Sequence, residues 1–123
     1  MHTALRVVTV LLGILFTVQG LGWLYDPASA ANGLGMPLLD GVGRSTQIGD
    51  FAIFFLGGGA TTLIGSLPGR QRVLYFPAAL IGGAAVTRTL AWALHGADFA
   101  ALFIAVELLT GGVLLATARA ARP

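Results

Sequence analysis

The sequence contains no cysteine and very little charge. Without cysteine, the 123 residues offer no disulfide bond, no thiolate metal ligand and no thiol nucleophile. Charged residues make up 10% of the chain, against about 25% in a typical soluble domain. Because so few polar side chains cannot coat a surface that faces water, most of the surface is expected to face lipid.

Other shortages narrow the range of functions further. Only two histidines are present, His2 and His95, so neither a haem nor a multi-histidine metal site is expected. The formal net charge of +2 could suit nucleic acid, but the arginines are scattered along the chain rather than gathered into a patch. The sequence therefore predicts no metal, no cofactor and no nucleic-acid partner.

Long apolar runs are what the chain has in abundance, since 56% of its residues are hydrophobic. Four runs reach the roughly 20 residues that a helix needs to cross a hydrocarbon core of about 30 Å. In lipid the backbone must satisfy its own hydrogen bonds, so each run is predicted to be a helix. The expected fold class is an all-α integral membrane four-helix bundle in one domain, 1–123, with spans at about 5–24, 48–67, 74–94 and 99–118.

The segment after the first span carries signals for a short helix. Asp26 is a good N-cap residue, and Pro27 suits the first helical position because its missing N–H needs no partner there. A helix over residues 27–32, ended by Gly33, is therefore expected. The apolar stretch 34–39 that follows is expected to lie in the membrane interface.

Two further boundaries bear on the arrangement of the spans. Ser45 or Thr46 is expected to cap the second span. Residues 95–98 form a short polar turn, so the third and fourth spans are predicted to be antiparallel neighbours. Asp98 is a candidate N-cap for the last span.

The N-terminus also allows a rival interpretation. Arg6, the apolar residues 7–18 and the sequence Ala28–Ala30 together imitate a cleavable signal peptide. However, the segment stays apolar through Trp23 and leaves a long gap before Ala28, which favours a first span that is retained.

The arginines indicate the orientation of the spans. On one side of the membrane lie Arg6, Arg70, Arg72, Arg119 and Arg122. No acidic residue is predicted on that side. The other side receives Asp26, Asp40, Arg44, His95 and Asp98. Because short loops rich in arginine mark the cytoplasm, the prediction is a multi-pass inner-membrane protein with both termini cytoplasmic. Trp23, Tyr25 and Trp92 would then form an outer aromatic belt.

Arg88 and Glu107 are the main candidate site residues. They lie equally far from the turn at 95–98, so an antiparallel hairpin places them at the same depth. Charges inside a membrane are costly unless paired, and Glu107 is the only acid in the fourth span. An ion pair is therefore predicted, with a structural role in fixing the hairpin register and a functional role both left open. A sealed pair would favour the first role, and an open cavity beside it would favour transport or catalysis.

Asp50 is a further charged residue within the predicted spans. In the first turn of the second span it would interact favourably with the helix macrodipole. If it faced inward instead, Arg88 would have two acidic neighbours, and the bundle would hold a polar pocket open to the outer leaflet. Both interpretations stay open at the level of sequence.

Three flanking residues could contribute to such a pocket. Trp92 and His95 share a helical face with Arg88, so Trp92 could stack on the guanidinium or anchor the helix at the interface. His95, in a polar turn, is expected to be solvated. Arg44 could bind a lipid phosphate or extend along the interface.

Small residues recur at every fourth position within the spans. The stripes are Gly57, Thr61 and Gly65, then Ala79, Gly83 and Thr87, and finally Gly112 with Ala116. Stripes of this kind let helix backbones approach closely in lipid. Because they exceed what one hairpin contact needs, a homo-oligomer or a partner membrane protein is expected in addition to the lipid bilayer.

Several short motifs carry a family resemblance. Leu24-Tyr25-Asp26-Pro27 is followed by Gly43-Arg44-Ser45, by Arg88 in the third span and by Glu107 in the fourth. The pattern resembles a family of small bacterial membrane proteins of unknown function, similar in size and layout to the DoxX-like four-helix proteins. The resemblance implies a four-helix bundle and points to Arg44, Arg88 and Glu107 as positions to test. DoxX-like members often look like accessory subunits of membrane redox systems, but this chain has no cysteine for thiol exchange.

These observations favour a non-enzymatic membrane protein, either an accessory or scaffold subunit or a small-ligand or lipid-binding subunit, centred on Arg88 and Glu107. A component of a small-solute or proton-linked transporter is the first alternative, although four helices without a visible repeat rarely alternate access alone. The second alternative is an integral-membrane enzyme that uses Glu107 or Asp50 on a hydrophobic substrate.

Overall fold

The computed structural model describes residues 2–120, and this part of the chain forms a bundle of α-helices. The helices are α1 (Thr3–Tyr25), α2 (Pro27–Gly33), α3 (Gly41–Gly65), α4 (Tyr75–His95) and α5 (Ala101–Arg119), with a 3-10 turn over Gln71–Leu74 leading into α4. The helices α1, α3 and α5, and α4 with its preceding turn, are each long and apolar enough to cross a membrane. The predicted all-α bundle with four spanning helices is confirmed, and the chain is a multi-pass membrane protein.

The outside of the bundle is apolar, as contact with lipid requires. Large aliphatic side chains within the spans are more than half exposed, among them Leu11, Val18, Ile53, Leu102 and Leu109. A continuous apolar surface of this kind is rare on soluble monomers. In a bilayer it is the surface that lipid chains solvate.

Helix α3 begins earlier than the sequence predicted. It starts at Gly41 with Asp40 at the N-cap, so Ser45 and Thr46 lie inside the helix and do not cap it. The reason is that hydropathy detects only the apolar turns of a helix, and the first turns of α3 are polar. The prediction that Asp50 lies in the first turn is therefore wrong, since at 3.6 residues per turn it lies in the third.

The short helix after α1 is confirmed with its predicted cap. Asp26 Oδ1 accepts a hydrogen bond from the Ser29 N–H at 3.4 Å, and Oδ2 accepts one from the Ser29 hydroxyl at 2.8 Å. Pro27 is the first residue of α2, and the helix ends at Gly33. The cap turns the chain sharply after α1, so α2 folds back toward the bundle.

The connection between α4 and α5 covers residues 96–100. Gly96 ends α4 with a φ of 68°, a left-handed conformation that glycine adopts without strain. The N-cap of α5 is Ala100, so the prediction that Asp98 caps this helix is wrong. The connection is nevertheless short, and α4 and α5 are antiparallel neighbours as predicted.

Glycines set the closest helix contacts. At Gly13, Gly20 and Gly59, an added Cβ would lie between 2.7 and 3.2 Å from a backbone nitrogen of the partner helix, so α1 and α3 pack with their backbones together. At Gly111 of α5, a Cβ would lie 3.1 Å from the backbone nitrogen of Gly82 in α4. Small residues let helices approach in this way within lipid, and the bundle consists of two tight pairs, α1–α3 and α4–α5.

Only part of the predicted small-residue stripes lies in these contacts. Gly65 packs against Leu74, whereas a Cβ added at Gly57, Gly83 or Gly112 would meet no atom within 4 Å. Helical spacing shows which residues share a face, but it does not show what that face contacts. The glycines that matter most for packing inside the chain are therefore not the ones that the spacing singled out.

At one end of the bundle the two helix pairs close on each other. This closed end is a buried core of Leu74, Ala78, Ile81, Leu114 and Ala118. The start of α1 and the end of α5 lie at the same end, which therefore carries Arg6, Arg70, Arg72 and Arg119. Arg122 lies outside the described residues. The opposite end carries Asp26, Asp40, Arg44 and Asp98.

A second core lies at the opposite end, beneath α2. Trp23 and Ala31 are buried there, and the segment 34–39 contributes three apolar side chains to the same cluster. The indole of Trp23 is 1% exposed and stacks on the Phe51 ring with centroids 4.9 Å apart. The prediction that Trp23 belongs to an outer aromatic belt is therefore wrong, because α2 folds over it, whereas Tyr25 is exposed.

Candidate functional site

Arg88 and Glu107 form the predicted ion pair. Arg88 Nε lies 2.9 Å from Glu107 Oε1 and donates a hydrogen bond to Oε2 at 3.1 Å. The two side chains are 30% and 16% exposed, so the pair is partly shielded rather than sealed. Their alignment follows from the antiparallel hairpin, which brings residues equally distant from the α4–α5 connection to the same level.

The pair leaves hydrogen-bonding capacity unused. Both carboxylate oxygens of Glu107 approach the same nitrogen, so the two terminal amino groups of the Arg88 guanidinium have no acceptor among residues 2–120. Oε1 is buried and receives no aligned hydrogen bond from these residues. Phe103 covers the guanidinium, with its ring centroid 4.6 Å from Cζ, a cation–π contact. The charge of Arg88 is thus balanced while its donors are not saturated.

A cavity of about 570 Å³ opens beside this pair. Its size falls within the range of about 300–1,000 Å³ that is usual for small-molecule sites. All four spanning helices contribute apolar side chains to its wall, and α1, α3 and α5 supply the aromatic rings. These include Leu12, Leu15 and Phe16 from α1, Phe51, Phe54 and Phe55 from α3, Ile81 and Ala84 from α4, and Leu102, Phe103 and Val106 from α5.

Three further polar side chains line the cavity. Gln19 on α1 and the buried Thr110 on α5 make no side-chain hydrogen bond with the residues that the structure describes. Thr87 differs, because its hydroxyl donates to the Gly83 carbonyl at 3.1 Å and is satisfied within its own helix. The apolar wall therefore carries three polar groups that can still form hydrogen bonds to a ligand: the guanidinium of Arg88, the amide of Gln19 and the hydroxyl of Thr110.

The end of α2 closes one side of the cavity. Gly33 and Leu34 line it, and a smaller cavity of about 200 Å³ continues beneath α2. The two cavities share Gln19, Gly33, Leu34 and Phe55, and Trp23 lines the smaller one. Together they form a space that runs from the ion pair to the underside of α2.

Gly33 and Leu34 form the roof of the cavity, and Gln47 fixes the segment 35–39 that continues from it. Its Oε1 accepts a hydrogen bond from the Leu39 N–H at 2.9 Å, and its Nε2 donates to the Pro37 carbonyl at 3.0 Å. The side chain is buried, and it satisfies two backbone groups that lie outside any helix. Nothing in the sequence indicates this role, because a single glutamine has no spacing that identifies its partners.

Asp50 does not join the pair. It is exposed, it does not line either cavity, and its carboxylate forms no hydrogen bond or ion pair within residues 2–120. Because Trp23 stacks on Phe51, Asp50 lies level with the last turn of α1, near the end of the spans. Arg88 therefore has one acidic neighbour rather than two.

The three predicted flanking residues also lie outside the cavity lining. Arg44 donates from Nε to the Leu39 carbonyl at 2.8 Å and from Nη2 to Asp40 Oδ1 at 3.1 Å, on the surface at the start of α3. Trp92 is half exposed and packs edge-on against Phe99, with ring centroids 5.1 Å apart, so it is not the aromatic partner of Arg88. His95 is the exposed last residue of α4.

The sequence missed the aromatic half of the site. Phe51, Phe54 and Phe55 occupy one helical face at i, i+3 and i+4, a spacing that could have indicated an inward surface. Phe103 precedes Glu107 by one turn and had the same potential signal. Neither spacing identifies the inward face in practice, because almost every position in a spanning helix is apolar.

No protein-family model, no curated protein and no solved structure matches this chain. Within residues 2–120, no three side chains of histidine, aspartate or glutamate lie close enough to hold a metal ion together. The site is therefore defined by its own geometry, as a charge-balanced Arg–Glu pair on the wall of an apolar cavity inside a membrane bundle.

Proposed function

We propose that this protein is a non-enzymatic membrane subunit that binds one small hydrophobic or lipid-like ligand in the cavity beside Arg88 and Glu107. The observation that carries the proposal is the cavity of about 570 Å³ in direct contact with the ion pair. An open cavity there also suits transport or catalysis, for which the rest of the wall offers less support. A pair that served only to fix the helix register would be best sealed between α4 and α5, because burial removes water that competes for the charges.

The composition of the wall supports a ligand of this class. Binding sites for small molecules are mostly apolar, with a few placed polar groups, and in bundles they lie between helices. Here the aromatic rings offer apolar contact area, and Arg88, Gln19 and Thr110 offer hydrogen-bonding groups. Because the outside of the bundle is lipid-facing, a hydrophobic molecule can reach the cavity from the bilayer without crossing water.

Transport is the second candidate, and the smaller cavity beneath α2 favours it. The two cavities together give a path from the ion pair toward one end of the bundle. Catalysis has less support, because Glu107 is the only carboxylate that residues 2–120 place on the cavity wall, and Asp50 does not line it. A single acid already paired with arginine leaves no second group for acid–base chemistry on a substrate.

The test uses Trp23, which lines the smaller cavity beneath α2. In a Trp92→Phe background Trp23 is the only tryptophan, and its burial shields it from quenchers that are merely dissolved in the lipid. The protein is reconstituted into phosphatidylcholine vesicles and titrated with a dibrominated long-chain alkane, the matching methyl ester and the matching alkyl sulfate. Saturable quenching of Trp23 by at least one probe is expected.

A matched pair of variants locates the binding. Ala84 lines the cavity, and Ala93 lies on the same helix but is exposed and away from it. Ala84→Phe should abolish the saturable quenching by filling the space, and Ala93→Phe should retain it. Quenching that never saturates with any probe, or that survives Ala84→Phe unchanged, contradicts the proposed function. Protein-dependent flux of the probe across the vesicle membrane would show that the protein is a transporter rather than a binding subunit.

We further infer that the protein lies in the inner membrane with both termini in the cytoplasm. The support is the excess of arginine at the closed end, with Arg6, Arg70, Arg72 and Arg119, against the acidic opposite end. Reporter fusions after Pro123 and within residues 69–71 should both report a cytoplasmic location. A periplasmic signal from either fusion would overturn this orientation.

Self-association, or association with another membrane protein, is part of the same proposal, as is the accessory role that the DoxX-like resemblance implies. Its support is the unused space at Gly57 and Gly83, where a larger side chain meets nothing in the chain itself. Gly57→Leu and Gly83→Leu should therefore leave the melting temperature of the monomer unchanged while reducing the assembled size measured by light scattering in mild detergent. An unchanged assembled size counts against contacts through these faces.

A further inference from the structure

The unused donors of Arg88 specify the polar end of the ligand. We propose that the ligand is an uncharged amphiphile whose hydrogen-bond acceptor, a carbonyl or ester oxygen, binds the terminal amino groups of the Arg88 guanidinium. This inference rests on the proposed function, and it adds the chemical class of the ligand to it.

The charge balance of the cavity argues against an anion. Glu107 already neutralises Arg88, with both of its oxygens at 2.9 to 3.1 Å from Nε. Within the described residues, Arg88 is the only basic side chain on the cavity wall. An anionic head group would therefore add a negative charge that nothing there balances, and an unbalanced charge in a low-dielectric site is expensive.

The hydrogen-bond balance argues against a plain hydrocarbon. The terminal amino groups of Arg88 lack acceptors within residues 2–120, and a hydrocarbon would cover them without supplying one. A neutral oxygen satisfies these donors and leaves the Arg88–Glu107 contact intact. Thr110 and Gln19 give the same ligand a hydroxyl and an amide elsewhere on the wall.

The remaining wall suits the apolar body of such a molecule. Phe51, Phe54 and Phe55 face the cavity from α3, and Phe103 lies over the guanidinium on α5. When the oxygen of a ligand binds Arg88, the apolar body attached to it therefore contacts these aromatic rings. The smaller cavity beneath α2 leaves room for a longer chain to extend past Gln19.

The experiment compares the three brominated probes, which share one chain length and differ only in their ends. In the Trp92→Phe protein the methyl ester should give saturable quenching of Trp23 with an affinity roughly 10-fold to 100-fold higher than the alkane, the range expected for hydrogen bonds to a charged donor. The alkyl sulfate, which stays anionic at every working pH, should bind more weakly than the ester.

The double variant Arg88→Met/Glu107→Leu removes the pair without stranding a charge. In this variant the ester should lose its advantage and bind like the alkane. An ester that binds no better than the alkane to the Trp92→Phe protein, or a sulfate that binds better than the ester, overturns the inference while leaving the proposed function intact. Because this comparison needs no change at the pair, it stands even if the double variant fails to fold. The absence of saturable quenching by all three probes overturns the proposed function itself.

Discussion

The closed end and the cavity region of this bundle are built from the same four spanning helices and meet at Ile81, but most of their side chains differ. At the closed end, Leu74, Ala78 and Leu114 are buried in a continuous core, and Gly65 lets α3 approach Leu74 directly. In the cavity region the facing residues are phenylalanines and an ion pair. Small residues bring helices together in lipid, whereas rings and charged groups hold them apart.

The difference between these two regions shows where a small membrane bundle can hold a cavity. The α1–α3 pair is fixed by Gly13, Gly20 and Gly59, where an added Cβ would force neighbouring atoms to move. The α4–α5 pair is fixed by Gly111, where a Cβ would be crowded at 3.1 Å from the Gly82 backbone nitrogen. Among the described glycines, only Gly65 brings the two pairs into similarly close contact, against Leu74 at the closed end. Away from that end the two pairs can therefore stand farther apart. The separation between them widens at Arg88 and Glu107, where the polar groups are.

The largest effect is expected from overpacking a tight pair. In Gly59→Leu, the new Cβ would lie 2.7 Å from the Thr17 backbone nitrogen and 3.0 Å from the Gly13 carbonyl oxygen, and backbone atoms cannot move aside. Overpacking costs typically about 1–3 kcal/mol and occasionally more, and this site should reach or exceed about 3 kcal/mol. The loss is measured as the free energy of unfolding in mild detergent.

Two variants sharpen the contrast with regions that have room. Gly57→Leu, on the same helix with no atom within 4 Å, and Ala84→Phe, at the cavity, should each change the free energy of unfolding by much less. Equal losses in all three variants would show that the tight pair and the cavity do not differ in packing.

The next effect concerns the ion pair. Removing one partner from a fully buried pair costs about 3–5 kcal/mol, and the cost here should be smaller because Arg88 is 30% exposed. Glu107→Gln should destabilise more than Arg88→Gln, since an isolated carboxylate can take up a proton whereas a guanidinium keeps its charge. Arg88→Met/Glu107→Leu should be nearly neutral.

Thermal unfolding of the two single variants and the double variant tests whether Arg88 and Glu107 interact. Stability that recovers in the double variant confirms energetic coupling between the two residues. If the two single losses simply add, the side chains do not interact in the membrane. A double variant that recovers stability but loses ester binding assigns the pair to the ligand rather than to the register of the hairpin.

The smallest effect is expected at the roof of the cavity. Gln47→Leu leaves the Leu39 N–H and the Pro37 carbonyl without partners, at a cost of about 1–3 kcal/mol if they stay buried and less if water reaches them. Amide hydrogen exchange should accelerate in residues 34–40 while the closed end stays protected. Gln19→Leu, which removes no hydrogen bond within the described residues, is the control. Uniform acceleration along the chain would mean that Gln47 supports the whole bundle and not the roof alone.

The ion pair could be predicted and the cavity could not. The spacing of Arg88 and Glu107 about a short turn requires only that the helices be antiparallel, which the length of the connection fixes. The cavity depends on how far α1 and α3 stand from α4 and α5, and this distance follows from the combined volume of many side chains. Asp50 shows the same limit, because the sequence placed it near one end of the second span, whereas the face it occupies depends on how α3 packs against α1.

The sequence by itself determined the all-α class, the four spanning helices, the capped short helix α2 and the partnership of Arg88 with Glu107. These features follow from hydropathy, local capping chemistry and the cost of an unpaired charge in lipid. Each of these depends on one segment of the sequence or on two neighbouring segments. Only the tertiary structure decided that Trp23 is buried, that Gly59 rather than Gly57 meets the partner helix, that Phe103 covers Arg88 and that Gln47 holds the roof. In a chain where nearly every spanning residue is apolar, the pattern does not mark the inward face, and contacts between distant segments are needed to choose it.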